Sequence, residues 1–260
     1  MTTYMITLLE QPSKELIQEI EDFCATSCLG VKAIGPLLSY GTAYPFATAW
    51  VQRNEAGHLT AFCSKFYGTV TAYLAESASA ADREELLSFL PMIGYQTLIS
   101  TPEVTGTKES GCLMKLEKGE GCIAKESAES VSFLENENLA EFYTLLQKNN
   151  PGYLGQDYEA WLVDFSHRIR HQTARSVLLT ANQSACATAA ALVITEPAVF
   201  FGAISTNADC RGKHYASSNI RHLCNAYADK TIYLMCKPEK QCFYEKLGMI
   251  RVGAYAEKEN

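Results

Sequence analysis

One loop of the sequence, Arg211-Gly212-Lys213-His214-Tyr215-Ala216, carries the residue types that hold an anion, and Ser217 and Ser218 follow it. Two cationic side chains supply charge, and a glycine lets backbone approach a ligand closely. Ile220, Leu223, Cys224 and Tyr227 then fall at i, i+3, i+4 and i+7, which predicts an amphipathic helix that the two serines can cap. Upstream, Val199–Thr206 is an apolar, β-branched and aromatic run of strand length, and Asn207-Ala208-Asp209-Cys210 is a polar turn. Strand, basic loop and capped helix together place backbone N–H groups and positive charge at one point, which is an anion site. Other groups able to do chemistry have simpler explanations. Glu196 with Pro197 reads as a hairpin turn, and Asp209 as a residue shaping the loop before Arg211. The cluster His167-Arg168-Ile169-Arg170-His171 ends a helix and complements its dipole, with a phosphate contact as the second reading.

The elements that position this loop are legible along the chain. Ser13 is a helix N-cap, with Leu16, Ile17, Ile20, Phe23 and Cys24 as the buried stripe, and Gly30 and Gly35-Pro36 are read as breaking that helix. Thr48–Gln52, Leu59–Tyr67 and Thr69–Leu74 read as strands. Ser79-Ala80-Ala81-Asp82 is a capping-box pattern before a helix that Pro91 and Gly94 punctuate, and Gln96–Ser100 and Cys112–Leu116 are further strands. The polar stretch Glu117–Ser130 reads as a linker. Two amphipathic helices follow, one marked by Leu139, Phe142, Tyr143 and Leu146 and ended by Asn150-Pro151-Gly152, the other by Tyr158, Trp161, Leu162, Phe165 and Ile169. Ser176–Thr180, Ala187–Ile194, Thr231–Cys236 and Met249–Tyr255 read as strands, with a short helix from Glu239 to Leu247 before Gly248. Residues 48–100 and 176–236 share the order strand, strand, strand, helix, strand, which is the mark of a structural repeat. Where the second copy has its basic loop, the first has Glu76-Ser77-Ala78-Ser79-Ala80-Ala81-Asp82, without the glycine or the cations.

Composition narrows the classes. With 260 residues, 47% hydrophobic and 20% charged, the chain is an ordinary globular protein of one large or two modest domains. A net charge of −7 argues against nucleic-acid binding. No apolar run has a membrane-spanning length, and the first ten residues lack a basic n-region and a long h-region, so the expected location is cytoplasmic. The ten cysteines form no C-x-x-C pair, and a reduced, mostly buried set with no metal is expected. Cys236 and Cys242 flank the anticipated active edge and read as packing thiols.

Here the residues carry a resemblance. The C-terminal half resembles the GCN5-related N-acetyltransferase (GNAT) superfamily. Its Gln/Arg-x-x-Gly-x-Gly/Ala loop is matched by Arg211 to Ala216, and its Phe-Tyr-Glu-Lys-Leu-Gly-Phe run by Phe243-Tyr244-Glu245-Lys246-Leu247-Gly248. Two positions depart: His214 stands where the pattern has glycine, and Met249 where it has phenylalanine. The histidine either takes a helical-entry conformation and still donates its N–H, or blocks the loop. The resemblance covers roughly residues 130–260, and over 1–120 it rests on element order alone.

The resemblance implies an α/β (α+β) fold with a mixed, mostly antiparallel sheet and flanking helices, in two tandem copies. Residues 1–120 would be a degenerate GNAT-like domain and residues 130–260 the acetyltransferase domain. It implies an acetyl-CoA-dependent N-acetyltransferase acting directly on a primary amine of a small molecule or peptide, as monomer or homodimer. Backbone groups of Ala203, Ile204, Ser205 and Thr206 would pair with the pantetheine where strands ending near Thr206 and Cys236 splay. Arg211 and the N–H groups of Gly212, Lys213, His214, Tyr215, Ala216 and Ser217 would hold the pyrophosphate. An N–H near Ile204 would polarise the thioester carbonyl. Tyr244 would protonate the departing thiolate, its phenol pKa near 10 lying close to that of a thiol. No general base is legible. The alternative is a non-catalytic acyl-CoA-binding sensor or interaction module on the same fold. A Rossmann nucleotide binder needs a G-x-G-x-x-G that this sequence lacks.

Overall fold

The structure is a computed structural model, and it describes residues 6–123, 130–151 and 157–260. The chain divides into two compact units. The first runs to Leu113 and also takes Met235–Glu239 and Val252–Asn260. The second comprises Met114–Leu234 and Lys240–Arg251.

The elements of the first unit begin with β1 (Ile6–Leu8), α1 (Lys14–Cys24) and α2 (Cys28–Tyr40). They continue through β2 (Ala47–Arg53), β3 (Leu59–Phe66), β4 (Thr69–Leu74), α3 (Ala80–Ile93), β5 (Thr97–Ser100) and the short α4 (Pro102–Thr105). A strand β6 (Gly111–Leu116) follows, and then β7 (Val131–Glu135), α5 (Leu139–Asn149), α6 (Tyr158–Arg170), β8 (Arg175–Ala181) and β9 (Ser184–Ile194). The chain ends with β10 (Ala198–Thr206), α7 (Tyr215–Ala226), β11 (Thr231–Cys236), α8 (Gln241–Glu245) and β12 (Ile250–Glu259).

The repeat anticipated from element order is present down to its pairing rules. In the first unit β1–β2, β2–β3 and β3–β4 are antiparallel and β4–β5 is parallel, with α3 as the crossover. In the second, β7–β8, β8–β9 and β9–β10 are antiparallel and β10–β11 is parallel, with α7 as the crossover. Two helices precede the second strand of each copy. The mixed, mostly antiparallel sheet with flanking helices is therefore the observed fold class.

Strand alternation explains how the second unit is layered. Successive residues point to opposite faces, so Leu178 and Ala190 pack with Phe142, Trp161 and Phe165 of α5 and α6. Leu179 and Ala187 pack with Tyr215 of α7. Asn219, fully buried on α7, donates from Nδ2 to the carbonyls of Val177 (3.2 Å) and Ala187 (3.3 Å) and ties the helix across β8 and β9. The first unit has an equivalent core of Cys63, Val70, Ala72, Leu86, Leu90 and Leu98.

Three sequence expectations are corrected. Gly30, Gly35 and Pro36 do not end a helix but lie inside α2, which is buried along much of its length. A Cβ at Gly30 would sit 2.2 Å from the Cys24 carbonyl oxygen, so glycine is what lets α2 pack against the end of α1. The strand β7 lies directly after the anticipated linker, and its short half-polar run gave no strand signal. Finally, Ser217 and Ser218 do not cap α7. They are buried inside its first turns, and His214 occupies the N-cap position. The middle of the anticipated linker (124–129) and Gly152 lie outside the described residues.

Candidate functional site

A cleft of about 480 Å³ opens in the second unit beside β10, α7 and α8. Its shape begins with a defect in β10. The parallel register with β11 runs from Ala198↔Thr231 to Phe201↔Leu234, while β10 continues to Thr206. On its other side β10 stays paired to β9, but the register shifts between Gly202 and Ser205. Ala203 takes φ +53° inside this bulge, a left-handed conformation that an alanine adopts only at a cost of about 1–2 kcal/mol. Thr188 Oγ1 donates to the Ala203 carbonyl at 2.8 Å and pins the bulge. Ile204, Ser205 and Thr206, just past it, line the cleft.

The loop after β10 supplies another wall. A one-turn 3-10 helix, Ala208–Cys210, leads into Arg211, Gly212, His214, Tyr215, Ala216 and Ser217, all of which line the cleft. Gly212 has φ +80°, and a Cβ there would meet nothing within 4 Å, so its face stays open to a ligand. Helix α7 begins with no side-chain cap and no acidic residue in its first turn. The matching helix of the first unit is the reverse. There Asp82 Oδ2 accepts from the Ser79 N–H (2.8 Å) and Oγ (2.7 Å), and Ser79 Oγ accepts from the Asp82 N–H. A carboxylate already occupies the N-terminus of α3, whereas the N-terminus of α7 carries none. The residues of the second copy thus fit a pyrophosphate, and those of the first do not.

His214 answers the question left by the sequence. It has φ +64° and ψ +17°, not a helical-entry conformation but the left-handed one that glycine adopts freely. Its side chain is exposed. Its carbonyl accepts from Ser217 Oγ (2.8 Å) and the Ser218 N–H (2.9 Å), which fixes the first turn. His214→Gly is therefore expected to stabilise the fold by about 0.5–1 kcal/mol through relief of left-handed strain. It should also keep or tighten CoA binding. Thermal unfolding and a CoA titration check both, and a large loss of affinity would instead assign a ligand contact to the imidazole.

Tyr244 lines the same cleft from α8, is 7% exposed, and meets the Phe243 ring edge-on at 5.0 Å. The structure thus gathers Tyr244, Ile204–Thr206, Arg211, Gly212 and His214–Ser217 around one opening. Ala203 is buried in the bulge behind it, and Lys213 turns its ammonium over the Tyr215 ring at 6.0 Å rather than lining the wall. Reading the sequence missed Asn149, Asn150, Cys210, Lys240 and Phe243, which also line it. Asn150 Nδ2 donates to Ser205 Oγ at 3.4 Å. The only signal these residues offered was closeness in sequence to a named element, since chain path, not spacing, brings them in.

No carboxylate is among the described lining residues. Glu196 and Asp209 lie elsewhere. The basic end of α6 is engaged locally: Arg168 pairs with Asp164 at 3.2 Å, and the His167 and His171 rings stand 4.3 Å apart. The ten cysteines are free thiols, most of them buried. Among the described residues no group of three or more His, Cys, Asp or Glu could hold a metal ion, and no helix is long and apolar enough to cross a membrane.

No family model matches the sequence, and no curated protein matches it. Solved structures do match. A tandem GNAT protein from the clavulanic acid biosynthesis pathway aligns at TM-score 0.58 and 10% identity, over 98% of both chains. A GNAT-family acetyltransferase from Colwellia psychrerythraea aligns at 0.56 and 11%, again over 98% of both. A Drosophila protein aligns at 0.64 and 10%, over 98% of this chain and 97% of that one. At such identities the likeness is one of fold. With the duplicated topology, it shows that this chain carries the GNAT fold in two tandem copies.

Proposed function

We propose that the chain is an acetyl-CoA-dependent N-acetyltransferase that moves acetyl directly from the thioester to a primary amine of a small molecule or peptide. The observation that carries this reading is one cleft lined both by a strand released from its parallel neighbour and by an uncapped helix N-terminus. Past the bulge at Ala203, the edge of β10 from Ile204 to Thr206 faces the cleft and offers backbone groups to an extended pantetheine arm. Arg211 and the N–H groups from Gly212 to Ser217 take the pyrophosphate.

Acetyl-CoA supplies an activated acyl group. The Ile204 N–H donates to the carbonyl oxygen, and that bond strengthens as the oxygen gains charge in the tetrahedral adduct. Holding the amine against the carbonyl supplies much of the remaining acceleration. The Tyr244 O–H donates its proton to the departing sulfur. With no carboxylate in the described wall, the proton of the acceptor passes to water. This reading has the enzyme working in the cytoplasm without a metal, as monomer or homodimer.

CoA at 100 times its dissociation constant is expected to stabilise the fold by about 2.7 kcal/mol in a thermal-shift titration. A mass-spectrometric screen of amines, amino acids, polyamines and peptides should then reveal an acetylated product. No stabilisation by CoA or acetyl-CoA would remove the enzyme reading. Stabilisation without transfer to any amine would leave the sensor alternative.

A further inference from the structure

We propose that Cys186 and Cys210 are a peroxide-oxidisable thiol pair whose disulfide pulls the anion loop out of its binding position. Their sulfur atoms are 3.2 Å apart. Cys210 ends the 3-10 turn immediately before Arg211 and lines the cleft, whereas Cys186 is 3% exposed on β9. The turn also hangs from that strand, because the Asn207 N–H donates to the Cys186 carbonyl at 2.8 Å.

A disulfide holds its sulfurs about 2.05 Å apart, so bond formation draws them together by about 1 Å. The two ends do not yield equally. Next to Cys186, Ala187 is paired on both sides, to Leu179 and to Thr206. Ala208 and Asp209, next to Cys210, are exposed. The movement therefore falls on Cys210 and carries Arg211 and Gly212 toward β9, away from the cleft.

The chemistry balances with hydrogen peroxide as oxidant. The Cys210 thiolate attacks one peroxide oxygen, the O–O bond breaks, and hydroxide leaves behind a sulfenic acid. The Cys186 sulfur then attacks the Cys210 sulfur, the S–O bond breaks, and water leaves with the Cys186 proton. Two thiols and one peroxide give one disulfide and two waters.

Burial first, then the neighbouring Cys186 thiol and, more weakly, Asp209, push the Cys210 pKa up to about 11 against the opposing charge of Lys213. Thiolate is the minor form at neutral pH. Its fraction, and with it the oxidation rate, rises about tenfold per pH unit from pH 7 to 9. The pair responds slowly and to sustained oxidant.

Disulfide formation stands apart from the cofactor reading, whereas its effect on CoA rests on it. The test treats the full chain with hydrogen peroxide at pH 7, 8 and 9, maps peptides without reduction, and titrates CoA before and after. The expected result is a peptide linking Cys186 to Cys210, forming faster as pH rises, and CoA affinity weakened at least tenfold and restored by dithiothreitol. Cys186→Ala and Cys210→Ser should each abolish the linked peptide and the oxidant effect; the second, at a half-exposed position, guards against a variant that fails to fold. Both thiols surviving while other cysteines oxidise would overturn the proposal. A linked peptide with unchanged CoA affinity would overturn the displacement of the loop. Reduced protein that binds no CoA would count against the proposed function and leave the disulfide to the peptide map.

Discussion

Ser217→Asp is expected to abolish CoA binding, with at least a hundredfold loss of affinity, while the fold survives. Ser217 is the third residue of α7, and Asp82 is the third residue of α3. The substitution copies into the second unit the carboxylate that caps the first. The helix itself gains, since an acid in the first turn complements the dipole by about 0.5 kcal/mol. A bound phosphate loses, because two like charges about 5 Å apart at an effective dielectric near 20 repel by about 3 kcal/mol. That energy exceeds a factor of 100 in dissociation constant. Ser217→Asn, similar in size and uncharged, separates charge from bulk and should lose less than about tenfold. Calorimetric titration of both variants reads the difference, and a Ser217→Asp protein that binds CoA like the parent would disprove an anion site at α7.

Tyr244→Phe is expected to reduce turnover by at least an order of magnitude, about 1.4 kcal/mol of barrier, and to leave CoA affinity nearly unchanged. The substitution removes one oxygen and keeps the ring that packs on Phe243. Without the phenol, sulfur leaves as an unprotonated thiolate. A structural role predicts the opposite pattern, a lowered melting temperature with turnover per folded molecule intact. Steady-state kinetics on any accepted amine, with thermal unfolding alongside, discriminates the two, and an undiminished rate would end the assignment.

What could be read before the fold was known follows from how local each signal is. Ser13 accepts from the Leu16 N–H and the Ser79–Asp82 box closes on itself, so both helix starts were legible within four residues. The shared strand-helix order of the two copies was legible because hydrophobic period switches from two to 3.6 at the same places. The course of α2 was not, because close packing at Gly30 and burial along the helix override the propensities of Gly35 and Pro36. The bulge at Ala203 had only Gly202 to announce it, and a lone glycine in a strand is a weak sign. The left-handed backbone of His214 was not legible, because a histidine does not announce a positive φ as a glycine does. Asn150 meets Ser205 across 55 residues of chain, a distance over which no sequence spacing speaks.

The last strand carries a consequence for how the protein is made. Ala256–Glu259 of β12 pair antiparallel with Ser100–Thr97 of β5, in the unit that begins at the N-terminus. Edge pairing for β5 therefore arrives only after some 150 further residues have left the ribosome. Until then the nascent first unit holds an incomplete sheet with an open edge, a surface prone to wrong pairing. Closing so distant a contact is slow on topological grounds. The second unit, whose β7 to β11 ladder lies within one stretch of chain, has its strands in hand earlier. Birth order and completion order are thus inverted: the half synthesised first is finished last.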